Sequence, residues 1–126
     1  MSVLIDSYGW IEYFSDGELA SKYARYIEAA NSVEYITPSI IIYEVYKRIK
    51  SMKGEGVALK IIAHIIEHTA IVPIDSKISL NAAEISIKTN LAMADSMIKA
   101  IAEDRNAKII TSDKHFKNLP DVIFIQ

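Results

Sequence analysis

The chain of 126 residues contains no cysteine. That excludes a disulfide framework and any zinc site built on thiolates, and it suits a reducing cytoplasm. Long apolar runs are missing too. The most apolar stretch, "ALKIIAHIIEH", is broken by Lys60, His64 and Glu67 and cannot span a bilayer. No basic segment precedes "SVLID", so no secretory signal is expected. A large excess of either charge is missing as well: the net value is −2, which gives no bulk attraction to nucleic acid. It does not exclude phosphate chemistry, because a site made of carboxylates is itself acidic and needs cations before a phosphate can approach. Glycine (4) and proline (3) are few, and "KGEG", Lys53 to Gly56, is the one clear breaker between two helical stretches. There is no repeat, low-complexity segment or linker.

What remains is a globular composition, 51% hydrophobic with isoleucine dominant and 24% charged. The length reads as one domain and can bury a core without disulfides or a structural metal. Short β-branched runs alternate with helical patterns. Strands are predicted at Val3–Ile5, Val33–Thr37, Ala70–Ile74, Lys108–Thr111 and Val122–Ile125. Helices are predicted over Leu19–Ala30, Ser39–Met52, Val57–Glu67, Lys77–Lys88 and Asp95–Arg105. This alternation argues for βαβ units, a parallel sheet with helices on both faces, and right-handed crossovers. The first of the long helices gives way near Asn31, and Pro38 is expected in the first turn of the next. In the last helix Met97, Ile98, Ile101 and Ala102 share a stripe, with Lys99, Glu103 and Asp104 largely outside it.

Two aspartates close strands. Asp6 follows the first, with Ser7 beside it, and Asp113 follows "AKIIT", preceded by Thr111 and Ser112. Ligands of open α/β sheets collect at the carboxyl ends of strands, so these two face one crevice if their strands are neighbours. The adjacent hydroxyls can orient the carboxylates. Asp and Ser after a strand are also the commonest helix N-caps, and either aspartate alone reads first as a cap or turn. Glu44 edges the apolar stripe of "SIIIYEVYKRIK" near Ile40 and Ile41, where a carboxylate is costly unless paired or metal-bound. An (i, i+4) ion pair with Arg48 would satisfy it equally. Asp95 begins a helix after the turn Asn90–Ala94, a position the helix dipole favours for capping and metal binding alike. None of the four is convincing singly. Together they form a potential cluster whose mutual repulsion a divalent cation would relieve. Oxygen ligands without cysteine or a histidine cluster suit Mg²⁺ or Mn²⁺ and fit phosphoryl transfer, in which a metal activates water and neutralises charge.

Other candidates are weaker. Asp75 in "VPIDSK" reads as a cap. His64 and His68 have a metal-binding spacing but no third ligand, and read as a helix face. Glu12, Asp16 and Glu18 look like solvated surface. Trp10 and Tyr13 read as packing residues, while Tyr8 or Trp10, near Asp6, could touch a substrate.

The blocks "VLIDSYGWIEYF", "TPSIIIYEVYKRI" and "MADSMIKAIAEDRNAKIITSDKHF" together resemble a PIN domain, in size the stand-alone toxin subunit of a VapBC toxin–antitoxin pair. The resemblance covers nearly the whole chain. It implies a single PIN-like domain over residues 1–126, a three-layer α/β/α sandwich with a mostly parallel sheet. It implies a cytoplasmic endoribonuclease dependent on Mg²⁺ or Mn²⁺, usually a homodimer, paired with a small antitoxin whose C-terminal segment covers the site. Asp6, Glu44, Asp95 and Asp113 match the family's acidic, metal-binding and catalytic positions. Thr111, or Ser7, matches the supporting hydroxyl, with Ser112 and His115 adjacent to the site. Many relatives carry a further Asp two residues after the fourth acid, where this chain has His115. Lys47, Arg48, Lys50, Lys53, Lys114 and Lys117 could steer an RNA backbone, although ordinary surface charge accounts for most of them.

Two rivals stand beside this reading. A weak or inactive PIN-like module would bind RNA or protein without cutting, although four idle carboxylates would be a standing electrostatic cost. A phosphotransferase using Asp6 as nucleophile would want a second Asp two residues on, where Tyr8 stands.

Overall fold

The structure, a computed structural model, describes residues 2–29 and 33–126. Strands β1 (Ser2–Ile5), β2 (Glu34–Pro38), β3 (Ala70–Val72), β4 (Ala107–Thr111) and β5 (Val122–Phe124) form one sheet in the order β3-β2-β1-β4-β5. Every pairing is parallel, so the sheet is wholly rather than mostly parallel. Between the strands lie α1 (Ser7–Ser15), α2 (Ala20–Ile27), α3 (Ser39–Lys53), α4 (Glu55–His68), α5 (Ser76–Thr89) and α6 (Met93–Asp104). With the right-handed crossovers usual for parallel strands, the connections from β1 through β2 to β3 carry α1–α4 on one face. The return from β3 to β4 lays α5 and α6 on the other. Winding reverses between β1 and β4, which is the switch point where such sheets open a crevice at their carboxyl edge.

A central strand covered on both faces must be apolar throughout. Accordingly Val3, Leu4 and Ile5 are all buried, with Ile36, Ile109 and Ile110 beside them and Ile41, Ile49, Ile65, Ile98 and Ile101 packing from the helices. Much of the chain's isoleucine lies in this core, while Ile66, Ile71 and Ile87 stay exposed.

Several boundaries moved. α1 is a helix the propensities do not announce: "SYGWIEYFS" holds a glycine and four aromatic residues. It forms because Trp10 is buried and because Gly9 lets the helix approach β1. A Cβ at Gly9 would lie 2.6 Å from Ile5 Cγ2 and 2.6 Å from the Tyr23 ring. Pro38 is not in the first turn of α3. It is the last residue of β2, paired with Val72, and it caps the helix from outside. The break at "KGEG" is Gly54, whose φ of 90° ends α3 and starts α4. α2 ends at Ile27, while the expected helix end at Ala30 and the break at Asn31 lie outside the described residues. Lys99 is not outside the apolar stripe: it is buried, its Nζ donating to Pro120 O at 3.3 Å and lying 3.5 Å from Glu103. Its long stem lies among apolar atoms while its ammonium finds oxygen.

Candidate active site

Because β1 and β4 are hydrogen-bonded neighbours with Ile5 opposite Ile110, the residues that follow them emerge side by side. Asp6 is both a cap and a candidate site residue. Its Oδ1 accepts from Gly9 N at 2.9 Å, which caps α1, while its Oδ2 accepts from the Thr111 hydroxyl of β4. Asp6, not Ser7, therefore caps the helix. Asp6 is only 2% exposed. Burial pushes its carboxyl up to about 7; the Thr111 and Gly9 hydrogen bonds oppose that, and Asp113 and Glu44 add to it.

Asp113 N donates to Thr111 Oγ1 at 2.9 Å, so one threonine organises both strand-end acids. Asp113 also opens a short 3₁₀ turn, Lys114–Phe116, pinned by buried Phe116. Its Oδ1 accepts from His115 N at 2.9 Å, and the His115 ring Nδ1 lies 2.8 Å from the same oxygen. Asp95 stands in the first turn of α6, two residues inside its start at Met93. Its Oδ2 is 3.9 Å from His115 Nδ1. Burial raises the Asp95 carboxyl first, Asp113 raises it further, and His115 works against both. Asp95, Asp113 and His115 each present a ligand atom within 4.8 Å of the others'.

Glu44 projects from α3, which packs against α1. It makes no ion pair with Arg48 among the described residues, and its buried Oε1 accepts no hydrogen bond. Burial raises its carboxyl first. The Ser7 hydroxyl opposes this, and Asp95 and Asp113 add to it. Tyr8, 55% exposed, overlooks the group: its phenol is raised by burial and then by all four acids. Glu44 and Asp6 are not members of the Asp95–Asp113–His115 triplet, but each feels its charge.

An unpartnered buried acceptor and four mutually repelling carboxylates, three of them raised, are what a divalent cation would resolve. The donor set, carboxylate oxygens with one imidazole, suits Mg²⁺, Mn²⁺ or a later divalent metal.

Of the candidate supporting residues, Thr111 donates to Asp6 and Ser7 borders Glu44. Ser112 instead accepts a hydrogen bond from the Tyr23 hydroxyl at 2.7 Å. Nothing in the sequence signals that link, which ties the loop after β4 to α2. Lys47 and Arg48 line a shallow hollow with Tyr43, Glu44 and Ser51, and Lys47 Nζ sits 5.6 Å from the centre of the Tyr43 ring. Lys114 is exposed in the turn beside Asp113. Outside the site, Asp75 caps α5 through Ile78 N at 2.9 Å. His64 and His68 stack at 4.1 Å on one helix face. Glu12 is more than solvated surface, since its Oε2 accepts from Leu19 N at 3.0 Å and closes the turn into α2. Trp10 is buried as expected, and Tyr13 stacks edge-on to Phe14. Among the described residues no helix is long and apolar enough to cross a membrane.

No curated protein sequence matches the chain, but solved structures do. A toxin–antitoxin complex from Klebsiella pneumoniae contains a chain similar at TM-score 0.78 and 22% identity, over 96% of this chain and 95% of that one. The sarcin–ricin loop-cleaving toxin VapC20 of Mycobacterium tuberculosis is similar at TM-score 0.82 and 11% identity, over 98% and 99%. VapBC2 of Rickettsia felis, bound to a DNA fragment from its promoter, gives 0.78 and 17%, over 98% and 97%. At these identities the likeness is one of fold. The sequence itself matches the model of the PIN domain over residues 3–122. With its parallel sheet and its acids gathered at the switch point, the chain belongs to the PIN domain family.

Proposed function

We propose that this chain is the toxin of a VapBC-type type II toxin–antitoxin pair, a divalent-metal-dependent endoribonuclease of the cytoplasm built as a single PIN-like domain. The observation that carries the reading is the gathering of Asp6, Glu44, Asp95 and Asp113, with Glu44 Oε1 buried and without a donor. Toxin–antitoxin complexes among the structures similar in fold support the pairing with an antitoxin, and the family expectation of a homodimer goes with it.

In this reading Asp6, Glu44, Asp95 and Asp113 hold Mg²⁺ or Mn²⁺ and are the catalytic acids. Bound there, the cation supplies Lewis acidity toward the scissile phosphate and a nucleophile at neutral pH. The chain's own groups do the rest. Thr111 and the Gly9 N–H fix Asp6 from two sides, so its carboxylate needs no reorganisation. Burial keeps that carboxylate near neutrality in its proton affinity and ready to exchange a proton for a cation. Lys47, Arg48 and Lys114 flank the acids and offset the repulsion between them and an RNA backbone. Incubating RNA with Mn²⁺ and the purified chain should give cleavage that Asp6→Asn abolishes. Undiminished cleavage by that variant would refute the assignment. Tight RNA binding without cleavage in any divalent metal would favour a non-cutting module.

A further inference from the structure

His115 sets a nitrogen donor at the edge of the acidic cluster, and the geometry points to more than a side chain on the rim. In an octahedral site with ligands about 2.1 Å from the ion, neighbouring donors lie about 3 Å apart and opposite ones about 4.2 Å. His115 Nδ1 is 2.8 Å from Asp113 Oδ1, close to the spacing of neighbouring donors, and 3.9 Å from Asp95 Oδ2, close to that of opposite ones. The ring is held there by the protein's own backbone and packing. The His115 N–H is bonded to Asp113, and the turn is anchored by Phe116, only 1% exposed. Asp95 and Asp113 come from different elements, α6 and the end of β4, so the three donors converge from separate backbones.

We propose that His115 is a direct ligand of the cation and that it makes this site selective for transition-metal divalent ions over Mg²⁺. Carboxylates alone suit Mg²⁺ and Mn²⁺ comparably. An imidazole nitrogen gains little with Mg²⁺ and progressively more from Mn²⁺ to Co²⁺ and Ni²⁺. The inference rests on the reading that the acids hold a cation, and it adds which donor decides the ion.

Mn²⁺ bound to the full-length chain reports on this directly, because pulsed electron paramagnetic resonance detects nitrogen coordinated to Mn²⁺. Wild type should show nitrogen modulation, and His115→Asp and His115→Ala should lose it. Competition calorimetry should show the preference for Mn²⁺ over Mg²⁺ falling roughly tenfold or more in His115→Asp, the scale on which altering an ion's surroundings moves affinity. The Asp95→Asn variant separates the two failures. If Mn²⁺ binds, weakens in Asp95→Asn and shows no nitrogen modulation, the cation reading stands and the His115 proposal falls. If wild type binds no Mn²⁺, or Asp95→Asn leaves binding unchanged, both fall.

Discussion

The tripeptide Ile-Asp-Ser occurs twice, at 5–7 and at 74–76, each time between a strand and a helix. Locally the two are alike: each aspartate is extended and accepts from the backbone N–H three residues on, at 2.9 Å in both cases. Their surroundings differ. β1 is the middle strand of five, and β3 is an edge. Asp6 therefore meets Thr111 from the neighbouring β4 and sinks to 2% exposure, with the charges of Asp113 and Glu44 around it. Asp75 follows a strand with a partner on one side only, and it stays exposed. The same three residues make a cap at the edge and a cap that is also a candidate site residue at the switch point. Chemistry here is conferred by position in the sheet, on a local structure that is already satisfied.

The largest expected difference between the two is in pH dependence. Asp6 is raised from 3.8 to about 7, so the folded, metal-free chain retains a proton there that the unfolded chain has released. Its stabilising share is complete below about pH 4, declines as pH rises, and is gone above about pH 7. Glu44 and Asp95, also raised, act with the same sign. Urea unfolding of the metal-free chain should show stability falling by roughly 2–4 kcal/mol between pH 4 and pH 7. Asp6→Asn should flatten most of that slope and Asp75→Asn should leave it. Mn²⁺ should restore stability at pH 7 in wild type. An equal effect of both asparagine variants would break the comparison.

Much of this was legible in the sequence, because strands ending in acids are short and self-announcing. All five strands and their alternation with helices were readable, and the acids at 6, 44, 95 and 113 were readable as candidates. The distinction between Asp6 and Asp75 was guessed from company rather than from neighbours. Helix α1 was hidden because its formation depends on a contact across the fold, Gly9 against Ile5 and Tyr23, that no local propensity encodes. The bond from Tyr23 to Ser112 spans 89 positions and leaves no pattern. Lys99 reads as polar by type, yet a long stem lets it lie buried once Pro120 supplies an acceptor. At Glu44 the sequence allows an ion pair with Arg48 as readily as a buried acid, and only the fold, in which no such pair forms among the described residues, separates the two.

A middle-sized test concerns the position three residues after each aspartate, Gly9 in one copy and Ile78 in the other. Ile78 is itself a core residue, 3% exposed, so the same cap tolerates a large side chain at the sheet edge. At Gly9 even a methyl group would sit 2.6 Å from Ile5 Cγ2. Gly9→Ala should therefore destabilise by about 1–3 kcal/mol as an overpacked contact. It should also weaken Mn²⁺ binding by tilting α1 and the N–H that holds Asp6. A stable Gly9→Ala chain with unaltered Mn²⁺ affinity would mean that α1 does not set the position of Asp6.

The smallest effect belongs to the edge copy. Asp75→Ala removes one side-chain acceptor from the start of α5 and leaves the Ile78 N–H to water, at a cost of about 1 kcal/mol. Because Asp75 is exposed and caps without other duties, the loss should appear as a lower urea midpoint alone. The rise in melting temperature on adding Mn²⁺ should match that of wild type, and Asp75→Ser, which keeps an N-cap acceptor, should recover most of the stability. That pairing isolates capping from site formation. If Asp75→Ala also diminished the Mn²⁺ response, the edge aspartate would be coupled to the crevice through α5 and α6, and position in the sheet would not be what separates the two copies.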